Sequence, residues 1–304
     1  MTPTRAEVPA ALAGERADKV VAVLAGVSRT VARRLLEEGR ATIDGALALP
    51  RARVAAGQWV EAEVPAPAVL QPGEVPFAVR YEDEHLAVVD KPPGVVVHPG
   101  AGRGGEGTLA AGILQRWPQV RGVGDEGRWG IVHRLDQDTS GLLVVALSPV
   151  AFPPLRQMLA RHEVERTYLA LVHGVPAAVT GTIEAALGRD PRQRGRVRVD
   201  ATGRAARTHY QRRTSWPGAN LALLELRLET GRTHQIRVHL AAIGHPGVAD
   251  RRYGRDDGLA PRTFLHAARL RFTHPVTGGE VVVESPLPPD LAGVLERLGE
   301  PSGG

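Results

Sequence analysis

The residues best suited to chemistry cluster in His133-Arg134-Leu135-Asp136-Gln137-Asp138-Thr139-Ser140-Gly141, directly before the apolar run LLVVAL. Asp and Ser in a turn beside a strand often do no more than cap local backbone. A carboxylate there can also act as nucleophile or base, as in glycoside cleavage. Ser140 lacks the G-x-S-x-G surroundings of a hydrolase nucleophile. His98, His133, His234 and His239 invite a metal reading, yet no two show ligand spacing with supporting carboxylates. The chain has no cysteine, so disulfides, thiolate metal sites and cysteine nucleophiles are excluded. Taken singly, Tyr168 reads as strand core, Arg237 as a surface arginine and Lys91 as a solvated loop lysine.

These groups need a scaffold. A chain of 304 residues suggests one catalytic domain with a small accessory module. Hydrophobic residues make up 43% and charged residues 23%, a globular composition with no apolar run long enough for a bilayer. The first ten residues show neither an apolar export segment nor an Arg-rich amphipathic one, which points to the cytoplasm and away from membranes. The net charge of +5 fits a nucleic-acid partner. Only Lys19 and Lys91 are lysines, a bias that GC-rich codon usage also explains.

The Pro-rich stretch 65–76 separates a module over residues 1–64 from a larger domain over 77–304. In the first, Ser28 can cap a helix through RTVARRLLEE, Gly39 can end it, and Asp44-Gly45 signals a hairpin. At 100° per residue, Arg29, Arg33 and Arg40 share one arc of that helix, opposite Val31 and Leu35. Downstream, strand-like runs such as LLVVAL, TYLALVHG and ALLELRLET alternate irregularly with helical stretches such as PLRQMLARHEVE and HQIRVHLAAI. The pattern predicts an α+β fold with many antiparallel pairs. Residues 189–213 carry nine Arg against two Asp, the footprint of a basic hairpin or loop.

The string HRLDxDTSGLLV resembles the signature of the RluA family of pseudouridine synthases. Asp90-Lys-Pro-Pro-Gly-Val-Val-Val-His98-Pro99, Glu165-Arg-Thr-Tyr168 with the strand that follows, and Leu228-Glu-Thr-Gly-Arg232-Thr-His-Gln-Ile-Arg237 resemble its other blocks in order. Residues 1–64 resemble an S4 RNA-binding (αL) domain. The resemblance implies an S4-like module followed by a synthase domain with a mixed, mainly antiparallel central sheet flanked by helices. It implies Asp136 as the catalytic aspartate, Tyr168 as the aromatic group against the base, and Arg237 as the carboxylate's partner. Arg134 is implied to fill the place of a flipped base. His133, Lys91, Arg232 and the helix arginines Arg29, Arg33 and Arg40 are expected to contact substrate. The partner implied is RNA, specifically large-subunit ribosomal RNA or an assembling subunit, met by a monomer. The isomerisation gains or loses no atoms or electrons, so neither metal nor cofactor is expected. Two departures stand out: Arg166 where the family usually has Lys, and Gly244-His-Pro-Gly-Val-Ala-Asp250 in place of GHPIVGD.

Overall fold

The computed structural model describes residues 2–64, 70–98, 105–125, 127–193 and 195–301. Part of the Pro-rich stretch (65–69), Pro99 and Arg194 therefore lie outside the described residues. The chain divides into two units, the first running to Leu70 and including Gly105 and Glu106, the second formed by Gln71–His98 and the residues from Gly107 onward.

The first unit begins with strand β1 (Thr2–Glu7), then helices α1 (Ala17–Leu24) and α2 (Arg29–Glu37), then β2 (Ala41–Ile43), β3 (Ala46–Leu47) and β4 (Trp59–Val64). Its sheet runs β1-β4-β2-β3 with antiparallel pairing. The Ser28 hydroxyl accepts from Val31 N–H at the start of α2, satisfying one of the donors a helix N-terminus leaves unpaired. Gly39 stops the helix with φ +70°, and Asp44 (φ +52°) with Gly45 (φ +75°) turns β2 into β3. Because α2 ends at Glu37, Arg40 is not on the helix and does not extend its basic arc. Val20, Val21, Ala32, Leu35 and Val60 form this unit's core.

The second unit continues with β5 (Ala78–Glu82), β6 (Leu86–Lys91), α3 (Leu109–Arg116), β7 (Ser140–Ala146), α4 (Phe152–Ala160), β8 (Glu165–His173) and β9 (Thr180–Glu184). There follow β10 (Leu187–Arg189), β11 (Val197–Val199), β12 (Arg207–Trp216), β13 (Leu221–Leu228), α5 (Gln235–Ala242), β14 (Leu265–Thr273), β15 (Glu280–Glu284) and α6 (Pro289–Leu298). One large sheet runs β5-β6-β7-β14-β8-β13-β12-β9, with β15 paired to β14. The expected mixed, mainly antiparallel sheet with flanking helices is present: among its described strands, β7 and β14 pair in parallel and the rest antiparallel. The arginine-rich segment forms the separate β10–β11 hairpin and then β12.

Every residue of β7 is buried, as expected of a central strand covered on both faces. Phe152 and Leu155 of α4 pack with Leu142, Val144 and Leu270. Leu291 and Val294 of α6 pack with Leu171, Leu221 and Phe264. Gly141 opens β7 at φ +114°, and a Cβ there would lie 2.2 Å from the Ala267 carbonyl oxygen. Only glycine lets the turn bearing Asp136 pass so close to β14. Among the described residues, no helix is long and apolar enough to cross a membrane.

Candidate active site

Asp136 is held by the loop that feeds β7. The next carbonyl, that of Gln137, accepts from Gly94 N–H at 2.9 Å and from Lys91 Nζ at 2.9 Å. Lys91 Nζ also donates to the carbonyls of Pro92 and Val95, both at 2.9 Å. Lys91 is fully buried. The expectation that it touches substrate is therefore corrected: its three donors are spent on three carbonyls, and it staples the KPPG turn to the Asp136 loop. Burial and nearby Arg262 push its pKa down to about 8, against the pull of Asp138 and Asp136. An ammonium suits three converging acceptors better than a planar guanidinium does.

The second wall comes from the approach to α5. The Gln235 side chain ties that approach down, accepting from Arg232 N–H and Thr230 Oγ1 and donating to Arg207 O and Thr208 Oγ1. His234, at φ +55°, and Arg237 then line the cleft. Arg237 Nε and Nη2 bind the fully buried Asp250 at 2.7 and 2.8 Å, while Nη1 reaches Asp136 Oδ2 at 3.3 Å. Burial opposes the charge on Arg237, but Asp250 and Asp136 outweigh it and raise its pKa. Burial likewise opposes ionisation of Asp250, yet the hydrogen bonds from Arg237 and the N–H groups of Arg252 and Tyr253 hold its pKa below the ordinary value. One fork is thus gripped bidentately, leaving a single nitrogen for the carboxylate in the cleft.

Tyr168 on β8 completes the cleft, which has a volume of about 570 Å³ and is also lined by Arg134, Arg232, His98 and His133. Tyr168 is only 6% exposed, so it is core and cleft wall at once. Burial, with Asp136 nearby, raises its phenol pKa despite the opposing cation of Arg166. Arg166 is itself buried, donating to the carbonyls of Leu228 and Glu229. Arg134 is exposed in the cleft. Arg232 is exposed too and donates to Ala205 O at 3.3 Å.

The other side chains weighed from sequence are placed as follows. His133 Nε2 accepts from Val144 N–H at 3.0 Å. Burial and Arg166 depress its pKa to about 3, so it braces β7 as a neutral ring while lining the cleft. His239 is fully buried between Thr208 Oγ1 and Ala185 O. Ser140 does contact His266 Nδ1 at 2.9 Å, but both are buried and His266 Nε2 is bound to Ser285 O, so neither can meet a substrate. In the other unit, Arg29 pairs with Asp18 at 2.8 Å and Arg33 with Glu37 at 2.7 Å.

His234 lines the cleft, while Asp250 and Tyr253 stand behind it on Arg237 and His234; none of the three was assigned a role from sequence. Asp250 ends the segment that departs from the family pattern. There Ala249 takes φ +54° where the pattern has glycine, a conformation that costs an alanine about 1–2 kcal/mol.

An RNA pseudouridylate synthase family model matches residues 85–242, the span holding Asp136, Tyr168 and Arg237. The chain belongs to this family of RNA pseudouridylate synthases. It is 42% identical over 313 residues to a ribosomal large subunit pseudouridine synthase D of Xylella fastidiosa, covering 97% of this chain and 92% of that protein. A synthase of the same name from Pseudomonas aeruginosa is 40% identical over 310 residues, covering 96% and 95%. The solved human RNA pseudouridylate synthase domain containing 1 superposes with a TM-score of 0.57 and 26% identity, covering 80% of this chain and all of that one.

Proposed function

We propose that the chain isomerises uridines of large-subunit ribosomal RNA, with Asp136 as the catalytic carboxylate, Arg237 as its partner and Tyr168 against the base. The observation that carries this is the Arg237 guanidinium, fixed on buried Asp250 and presenting one nitrogen to Asp136 in an open cleft. In the reaction the N1–C1′ bond breaks, uracil turns, C5 bonds to C1′ and the C5 proton leaves. Attack by a carboxylate on the sugar and deprotonation of the sugar by it need the same placement. The target base has to leave its stack, at a cost of a few kcal/mol. Stacking against Tyr168 and filling of the gap by Arg134 offset that cost.

The first unit acts in this reading as an S4-like RNA-binding domain, the residues from 77 onward as the catalytic domain, and the enzyme works as a cytoplasmic monomer. Arg29 and Arg33 on α2 are exposed beside their acidic partners, and with Arg232 at the cleft they supply cations for phosphates. The test is a map of pseudouridine in cellular RNA with and without this protein. Sites in large-subunit ribosomal RNA should disappear without it. Identical maps would leave a non-catalytic RNA-binding role.

A further inference from the structure

The short segment 250–253 touches three things at once. Asp250 holds Arg237. Arg252 Nη1 donates to Gly195 O at 2.7 Å in the β10–β11 turn. The Tyr253 hydroxyl accepts from Val197 N–H on β11 at 2.9 Å and meets His234 Nδ1 at 2.7 Å. The Tyr253 ring also lies under two guanidinium groups, Arg196 of the hairpin at 5.3 Å and Arg237 at 5.2 Å. The far nitrogen of His234, Nε2, stands 3.9 Å from Asp136 Oδ2.

The Val197 contact has a fixed direction, and the His234 contact depends on the tautomer of the ring. Val197 N–H can only donate, so the Tyr253 oxygen accepts there. The arrangement that gives the hydroxyl's own hydrogen an acceptor directs it to His234 Nδ1, 2.7 Å away. A neutral His234 then carries its proton on Nε2, on the side of Asp136. Burial lowers the pKa of the imidazole, as do the cations Arg237 and Arg252, against the opposite pull of Asp136 and Asp250.

We propose that Tyr253 and His234 form a positioning pair linking the arginine-bearing β10–β11 hairpin to the reaction centre, Tyr253 fixing His234 as the Nε2–H tautomer beside Asp136. The proposal rests on the reading of Asp136 as the catalytic carboxylate. Phosphates docking on the hairpin would act on Arg196 and the Val197 amide, both in contact with Tyr253, and so on the group that faces Asp136. Protonated, His234 would instead pair with Asp136 and occupy the carboxylate.

Tyr253→Phe keeps the ring and its two arginine contacts and removes only the hydroxyl. Its turnover is measured as tritium release from an unmodified large-subunit rRNA transcript labelled at C5 of uridine, across a pH series. The wild-type rate should hold to lower pH than an ordinary histidine would allow, because the His234 pKa is lowered. The Phe variant should lose about 10-fold to 100-fold in kcat through misplacement of the donor, with KM little changed. Its rate should also begin to fall at a higher pH than that of the wild type, because losing a hydrogen bond donated to the neutral imidazole favours the protonated form.

Adding His234→Asn to Tyr253→Phe should abolish that acid fall, since Asn does not titrate and tolerates positive φ. A hydroxyl that merely stabilised the fold would lower the rate alike at every pH. A Phe variant with wild-type kcat and pH profile overturns the proposal, as does an acid fall that persists in the double variant. Asp136→Asn is assayed in parallel. If it turns over normally, the reading of Asp136 fails and takes this proposal with it. If it is inactive, the Tyr253 result bears on the positioning pair alone.

Discussion

Two clusters built from the same residue types have opposite arrangements. In the first unit, two arginines grip one carboxylate: Asp18, at 6% side-chain exposure, accepts from Arg16 and Arg29, whose side chains are 44% and 57% exposed. In the cleft of the second unit, two carboxylates grip one arginine: Arg237, at 14%, lies between Asp250 at 0% and Asp136 at 18%. The surplus charge of the first cluster is positive and in water, where it can meet phosphates and is screened by salt. That of the second is negative and faces a cleft. A carboxylate in the path of a polyanion repels what it meets, so its place there needs a chemical reason.

Removing the outer carboxylate is the most severe test of that contrast. Asp136→Asn keeps the shape and part of the hydrogen bonding but loses the nucleophile or base, a loss expected to cost on the order of 10⁴-fold in turnover. Because Asp250 still satisfies two nitrogens of Arg237, the melting temperature should hardly move. RNA affinity should be equal or slightly better. Near-normal turnover with a lowered melting temperature would return Asp136 to a structural cap.

The inner carboxylate should behave differently. Asp250→Asn leaves the buried Arg237 charge without its main partner, which commonly costs about 3–5 kcal/mol. Turnover should fall as well, since the guanidinium is no longer aimed. The pH dependence has a definite sign. With its folded pKa held below the ordinary 3.8, Asp250 contributes stability that is fully present above that value and is lost as pH falls through the folded pKa. Thermal melts of the wild type should therefore drop steeply below about pH 4, and part of that drop should be missing in Asp250→Asn. Parallel acid profiles for the two proteins would remove Asp250 from the balance.

What the sequence disclosed of these clusters follows from distance along the chain. The start and stop of α2 were legible because Ser28 and Gly39 act within a few residues of the helix they bound. The strand runs of the large sheet and the helices α4 and α5 were legible from their apolar patterns. The pairing of Arg237 with Asp136 spans 101 residues, and no local periodicity marks it; only the resemblance of the whole motif set pointed there. Asp250 lies 13 residues from Arg237 beyond the end of α5, in a turn whose left-handed Ala249 hid the function of the acid that follows. Lys91 looked like a solvated loop lysine because burial is a property of the assembled sheet.

The smallest effect is expected from Asp18→Asn, and it separates the clusters most cleanly. Burial opposes the charge on Asp18, but the hydrogen bonds from Arg16 and Arg29 prevail and its pKa is lowered. Losing that charge therefore destabilises the first unit. Both arginines already stand largely in water, so they are rehydrated where Arg237 could not be, and the cost should be about 1 kcal/mol. Turnover at saturating RNA should be unchanged, because no group of this cluster lines the cleft. RNA affinity at low salt should hold or rise, since Arg29 is released and one negative charge is gone, and the gain should vanish as salt is raised. Melting temperature, kcat and a salt series of binding curves on the same variant decide it. A fall in kcat at normal affinity would show that the Asp18 cluster takes part in turnover, and the contrast between a binding cation cluster and a catalytic acid cluster would be lost.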